Sequence, residues 1–339
     1  MRIGGQRTRD KREISGNRYQ CLQFLAVRPF RFAVQCTQAS SGRAWRAQAR
    51  KIEGLGYSTV YCPDHFDEQW APTVAMTVAA EATSQLNVGA LVYDVDYRHP
   101  VVLAKEMATL DLISEGRLEV GLGAGWMQRD YEAAGLTLDR AGVRIARLGE
   151  AIEVCRGLWG GAPFDHSGHH YQVRNLAGTP LPFRVGGPPI VVGGGGPKVL
   201  ALAARQADIV GLNASLHEGT MGPGMARSAL GPRFAERRQW VEQEAGPDRF
   251  TRLELQLHTF LVQVTATVAQ ADELFEVMAG GFGLTAAEAR TVPLVLAGPV
   301  EAICEQLLHH REAYATSYIV IHQGEVDAFA PVLERLVGT

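Results

Sequence analysis

From residue 30 onward, short and almost wholly apolar runs alternate with longer amphipathic ones, and this alternation limits what the chain can fold into. "FRFAVQC" (30–36) reads as a strand, followed by a helix over 42–56 with Trp45, Ala49, Ile52 and Leu55 on one face. Strand 57–62, helix 72–84, strand 86–93, helix 99–114, strand 117–125 and helix 140–158 continue the series. After a break, strand 189–194, helix 197–205 and strand 208–212 resume it. A helix near 233–245 and an extended run 252–265, one strand or a strand pair, come next. Helices near 267–279 and 300–315, strand 317–322 and a last helix near 325–337 close it. Strands that are apolar on both faces belong to a parallel sheet covered by helices. About eight such units in about 300 residues fit a (β/α)8 TIM barrel. An open doubly wound sheet is the second choice, but it calls for an early GxGxxG fingerprint, which is absent.

The reading is of one barrel domain over residues 30–339, with an insertion at 159–188 after the fourth helix. That insertion is rich in Gly and Pro and holds one short alternation, "HHYQVRN", which suggests a hairpin. Residues 1–29 form a basic extension without apolar periodicity and are read as disordered. Eight Lys and Arg stand against Asp10 and Glu13 in residues 1–31, about +6, in a chain whose net charge is −3. The overall balance gives no reason to expect nucleic acid as a partner. No run reaches the 18 or so apolar residues of a membrane span. Five scattered cysteines without a CxxC pair fit free thiols in a reducing cytoplasm.

In such a barrel, chemistry gathers at the carboxyl ends of the strands. Asp64 and His65 follow the second strand directly, in "YSTVYCPDHF". An imidazole there can move a proton at neutral pH, and a carboxylate beside it can set its tautomer. The plain alternative is a helix N-cap and an incidental loop histidine. "GLGAGW" (121–126) places Gly121, Gly123 and Gly125 at a strand exit, as close approach by a flat ligand or a tight turn requires. Trp126 either stacks on a ring or caps the barrel mouth. "VVGGGGPKVLALAAR" (191–205) runs four glycines into Pro197, a favoured first helical residue. Such a start presents free N–H groups and a positive dipole end, with Lys198 beside it, and suits a phosphate. "HSGHH" (166–170) lies in the irregular insertion without carboxylates at helical spacing, and is read as solvated histidines and not a metal site. No GxSxG elbow supports hydrolysis.

Taken in order, these stretches resemble the luciferase-like monooxygenase superfamily of flavin and deazaflavin oxidoreductases, from Phe30 to Val337. "PDHF" and "VYDVDYRHP" are more narrowly similar to its actinobacterial branch dependent on coenzyme F420. The resemblance implies a barrel, usually a homodimer, with the cofactor ring across its mouth. It places a non-proline cis peptide after the third strand, at Ala90–Leu91 to within a residue, supporting the ring. It further implies that Asp64 bonds the cofactor head and that His65 faces the substrate as acid or base. Gly123 and Gly125 would line the ring or its tail. Gly194, Gly195, Gly196 and Pro197 would hold the phosphate common to F420 and FMN. Sugar-phosphate dehydrogenases of the superfamily carry Glu where Trp126 stands, so the pocket here reads as more apolar and suited to a hydrophobic or aromatic substrate. Three functions follow. The first is F420-dependent hydride transfer to or from a small organic substrate. The second is FMN-dependent monooxygenation fed by a partner flavin reductase. The third is non-catalytic binding of the cofactor.

Overall fold

Eight parallel strands close on themselves in the computed structural model, which describes residues 28–216 and 222–339. The strands in chain order are β1 (Arg31–Gln35), β2 (Thr59–Cys62), β3 (Asn87–Asp94), β4 (Leu118–Gly123), β5 (Phe164–Ser167), β6 (Gln172–Leu176), β7 (Ile190–Gly194), β8 (Ile209–Leu212), β9 (Glu254–His258), β10 (Leu261–Val264), β11 (Val295–Gly298) and β12 (Thr316–His322). The barrel runs β1-β12-β9-β8-β7-β4-β3-β2, which settles the choice between a closed barrel and an open sheet. Because all eight strands run the same way, the loops after β2, β3, β4 and β7 emerge at one rim. Residues 1–27, most of the basic extension, lie outside the described residues.

Each barrel strand buries both faces. Outward side chains such as Phe32 and Val34 pack under the helices, with Phe32 edge-on to Phe329 of the last helix, Val326–Leu336. Inward ones, among them Ala33, Tyr61, Val191, Ile209, Tyr318 and Val320, form a separate cluster inside the barrel. The amino-terminal end of that interior is plugged by charge. Arg31 bonds Glu119 at 2.6 Å and both oxygens of Glu254 at 2.7 and 2.6 Å, and its guanidinium lies 3.4 Å from the centre of the Tyr318 ring. Tyr61 and Tyr318 donate their hydroxyls to Glu119. The amino-terminal end of the barrel interior is therefore filled by side chains.

Several elements differ from the expectation. Of the two forms expected for the run 252–265 the strand pair is found, β9 and β10, broken at Thr259–Phe260; what differs is that β10 pairs with β11, which the apolar pattern did not mark. Three short helices, Gln128–Ala134, Pro223–Ser228 and Ala286–Ala289, were unmarked as well, because one or two turns carry too little periodicity to see. The insertion holds the antiparallel hairpin β5–β6. Its histidines are not simply solvated. Glu150 accepts the backbone N–H groups of His169, His170 and Tyr171 and lies 3.4 Å from the His166 ring, so the loop is anchored through a carboxylate.

The four described cysteines are free and buried. Burial pushes the Cys36 and Cys155 thiols up to about 12, which leaves them unreactive.

Candidate active site at the barrel mouth

The exit of β2 turns at Pro63 and delivers Asp64 and His65 to the rim. His65 Nδ1 lies 2.6 Å from Oδ2 of Asp130, a carboxylate only 3% exposed in the first turn of the helix Gln128–Ala134. With a buried carboxylate as acceptor, the imidazole carries its proton on Nδ1 and keeps Nε2 for a substrate. The Trp126 ring meets His65 edge to face at 5.9 Å, making one wall beside the imidazole aromatic.

Asp64, which the resemblance assigns to the cofactor head, is also held by the protein itself. Its carboxylate is gripped by Arg98 through two bonds of 2.6 and 3.1 Å and accepts the Asp94 N–H at 3.1 Å. At 9% exposed, it ties the β2 exit to the β3 exit. Beyond it lies a second acidic layer. Asp94 takes the Tyr131 hydroxyl at 2.8 Å and the Asp96 N–H at 2.9 Å, while Asp96 faces the same hydroxyl at 2.9 Å and Arg147 at 2.6 Å. Burial, and then the nearby Asp96 and Asp64 carboxylates, push Asp94 up to about 6.

Ala90 and Leu91 sit where β3 bulges. The non-proline cis bond is Leu91–Val92, one residue beyond Ala90–Leu91, and the β3–β4 register shifts between Ala90 and Tyr93. Gln35, at the end of β1, donates to the Leu91 carbonyl at 3.0 Å. The protein itself accounts for Gly123 and Gly125. A Cβ on Gly123 would come within 2.4 Å of Val92, and Gly125 has φ +69 with the Tyr131 hydroxyl and Asp94 carboxylate against it.

The glycine run leaves β7 at the same rim. Gly194 packs against Val199, and Gly195 against the backbone of Ala214 and Ser215. Gly196 is the N-cap of the helix Pro197–Gln206, and no side chain caps that helix. Pro197 lacks an N–H, so Lys198 and Val199 contribute the first-turn donors. Around Gly196 nothing among the described residues lies within 4 Å of where a side chain would begin. Packing explains Gly194 and Gly195; only at Gly196 does the space stand open.

Thus the structure gathers His65, Trp126, the Leu91 bulge and the glycine run at one end, with Asp64 one layer behind. Sequence reasoning missed Asp130, Arg98, Gln35 and a histidine pair at the ends of β9 and β12. The His258 and His322 rings are 4.9 Å apart, and His322 Nε2 lies 2.9 Å from the Thr259 carbonyl. Burial holds the His258 imidazole down to about 3, hence neutral, and its Nε2 has no partner among the described residues. A histidine ending a barrel strand was the available signal for both.

Two hollows lie away from this rim. One, between Met225, Phe260, Met278 and Phe282, is small and wholly apolar. The other, larger one sits by the amino-terminal ends of β9 and β12 near Arg28, Arg238 and Arg311. Its arginines are engaged: Arg28 with the Thr251 and Arg252 carbonyls, Arg238 with Glu242, and Arg311 with the Thr339 carbonyl. Neither presents an acid–base pair. No group of three or more metal-ligating side chains occurs among the described residues.

The sequence profile of luciferase-like monooxygenases matches residues 22–227. Over 170 residues the chain is 30% identical to the F420-dependent glucose-6-phosphate dehydrogenase of Amycolatopsis mediterranei, covering 47% of this chain and 50% of that one. Over 138 residues it is 33% identical to the FMNH2-dependent dimethylsulfone monooxygenase of Pseudomonas fluorescens, covering 41% and 37%. The chain thus spans about half the length, or less, of these curated relatives. The coenzyme F420-dependent tetrahydromethanopterin reductase of Methanopyrus kandleri superposes with a TM-score of 0.71 over 91% of this chain and 98% of that one. The identity is 16%, so the likeness is one of fold.

Proposed function

As the chain belongs to the luciferase-like monooxygenase family, we propose that it is an oxidoreductase whose barrel mouth takes a phosphorylated deazaflavin, coenzyme F420, and a small apolar organic substrate. One observation carries this reading: an uncapped, open helix start at Gly196–Pro197 and a buried-carboxylate imidazole at His65 share one rim. The first suits a phosphate and the second a proton transfer. The open space at Gly196, which no side chain among the described residues claims, fits close approach by a phosphate.

Bound there, the cofactor would supply or accept the hydride of a two-electron step. The chain's own residues do the remainder. Asp130 keeps the His65 proton on Nδ1, so Nε2 is the basic nitrogen. It removes the hydroxyl proton of an alcohol undergoing oxidation; in the reverse direction it returns a proton to a carbonyl oxygen. The imidazolium formed meanwhile is stabilised by the Asp130 carboxylate 2.6 Å away. Trp126 narrows the approach to His65 with an apolar wall and favours a substrate without charge. A homodimer is the assembly we propose, on resemblance alone. Among the described residues, no helix is long and apolar enough to cross a membrane.

The FMN-dependent reading, with a separate reductase as supplier of reduced flavin, is favoured by the likeness to the dimethylsulfone monooxygenase. Titration of the purified protein with F420 and with FMN, followed by tryptophan quenching, ranks the two. Micromolar F420 affinity without FMN affinity is the expected result, and the opposite preference selects the monooxygenase. His65→Ala should leave cofactor affinity nearly intact while lowering turnover roughly 10²–10⁴-fold. Unchanged turnover removes His65 from the mechanism. Cofactor binding without turnover across carbonyl, enone and alcohol substrates would leave a binding protein.

A further inference from the structure

Behind the glycine run lies a charge that the sequence pattern did not single out. Arg237, on the helix Gly231–Phe250, is 3% exposed. Its Nε donates to the Gly195 carbonyl at 2.9 Å and its Nη1 to the Ser228 carbonyl at 2.6 Å. Both partners are neutral. The adjacent acid, Glu236, is engaged by Arg233 at 3.2 Å on the exposed side of the helix. Among the described residues no carboxylate is in ion-pair contact with Arg237, whose other near neighbour is the Phe234 ring at 5.0 Å. Burial draws its guanidinium down to about 10, so it remains charged at neutral pH while bearing the cost of desolvation.

A buried cation without a direct ion-pair partner, offset here only by the Glu236 charge that Arg233 shares, is destabilising unless something recovers that cost. The geometry shows where an anion would recover it. Gly195 contributes the carbonyl and Gly196 the N–H of one planar peptide unit, and in a trans peptide these point in opposite directions. By holding the Gly195 oxygen, Arg237 turns the Gly196 N–H away from itself. The bond also polarises that N–H, as chains of hydrogen bonds do. Gly196 is the N-cap of the uncapped helix, with open space around it. Among the described residues, three of the five N–H donors of Arg237 are left beyond its two carbonyl bonds.

We propose that Arg237 is a positioning residue for a phosphate at the glycine run, fixing the 195–196 peptide toward the anion and placing a buried positive charge behind it. This rests on the reading that the run takes a cofactor phosphate. The competing role is a staple alone: Arg237 joins the β7 exit to the helix Pro223–Ser228, and Ser228 in turn accepts the Ser215 N–H at 2.8 Å.

Charge and staple separate in two variants. Arg237→Gln keeps a side-chain donor without charge, and Arg237→Lys keeps the charge without the fork. Each is titrated with F420 or FMN, whichever the wild type binds, and with the phosphate-free riboside form of the same cofactor. The Gln variant should lose on the order of tenfold or more in affinity for the phosphorylated form and little for the riboside, while Lys retains most of it. Equal losses for both forms, or a Gln variant that binds as the wild type does, overturn the proposal. A thermal-shift series with inorganic phosphate tests it independently of any cofactor. Phosphate should raise the Tm of the wild type and the Lys variant and not that of the Gln variant. A wild type that binds neither cofactor defeats the functional reading, and the phosphate series still decides the role of Arg237. An equal shift in all three proteins, or none in the wild type, defeats the role itself.

Discussion

At the scale of single residues, the acidic layer behind the mouth is the most informative feature. The Tyr131 hydroxyl has one proton and faces two carboxylate oxygens, Asp94 at 2.8 Å and Asp96 at 2.9 Å. Burial raises Asp94 from 3.8 to about 6, and once protonated Asp94 can donate to the Tyr131 oxygen and leave the Tyr131 proton to Asp96. A carboxyl raised on folding contributes stability that is full below the unfolded value and lost as pH rises through the folded one. Here the window is about pH 4 to 6, and the loss is on the order of 3 kcal/mol. Asp94→Asn cannot ionise. Its Tm relative to the wild type should therefore be more favourable at pH 8 than at pH 4.5, in paired thermal melts across that range. A constant difference would show that Asp94 does not titrate there. Of this layer only Asp64, one residue from His65, was legible in the sequence. Asp130 lies 65 positions from its imidazole, and no spacing rule connects residues on different barrel loops.

At the scale of elements, the passage from β7 into the helix Pro197–Gln206 carries the argument. The four glycines were visible at once, but their reasons differ. A side chain at Gly195 would enter the backbone of Ala214 and Ser215, at distances down to 2.3 Å, whereas at Gly196 it would meet nothing among the described residues. Gly195→Ala should lower the Tm by several degrees, since backbone atoms cannot yield cheaply. Gly196→Val should leave the Tm near that of the wild type and weaken the phosphorylated cofactor much more than its phosphate-free form. Wild-type affinity in the second variant would show that no ligand comes close there. The short helix Gln128–Ala134 makes a related point. It places Asp130 under His65 and Tyr131 under Asp94, yet seven residues leave no periodic signature.

At the scale of the whole molecule, the two ends of the barrel have opposite characters. The amino-terminal end is closed by Arg31, Glu119 and Glu254, with Tyr61 and Tyr318 donating inward. Removing one member of a buried ionic cluster costs about 3–5 kcal/mol because its partners are left unpaired. Glu119→Ala should thus lower the Tm by roughly 10 °C. Cofactor affinity at the far end should stay within about twofold, as expected of distant, independent sites. A large loss of affinity in a protein that is still folded would instead reveal coupling along the barrel.

What the sequence determined by itself was the architecture and the end at which to look for chemistry. Both follow from local physics: apolar strands alternating with amphipathic helices have few ways to bury themselves, and parallel strands bring their exits to one rim. The PDH turn and the glycine run were likewise local signals. Only the tertiary structure decided which partners those signals acquire. Asp130 came to His65, Arg98 to Asp64 and Arg237 to Gly195 from loops and helices 65, 34 and 42 positions away. Such pairings depend on how the barrel closes, and closure brings together residues that no window along the chain contains.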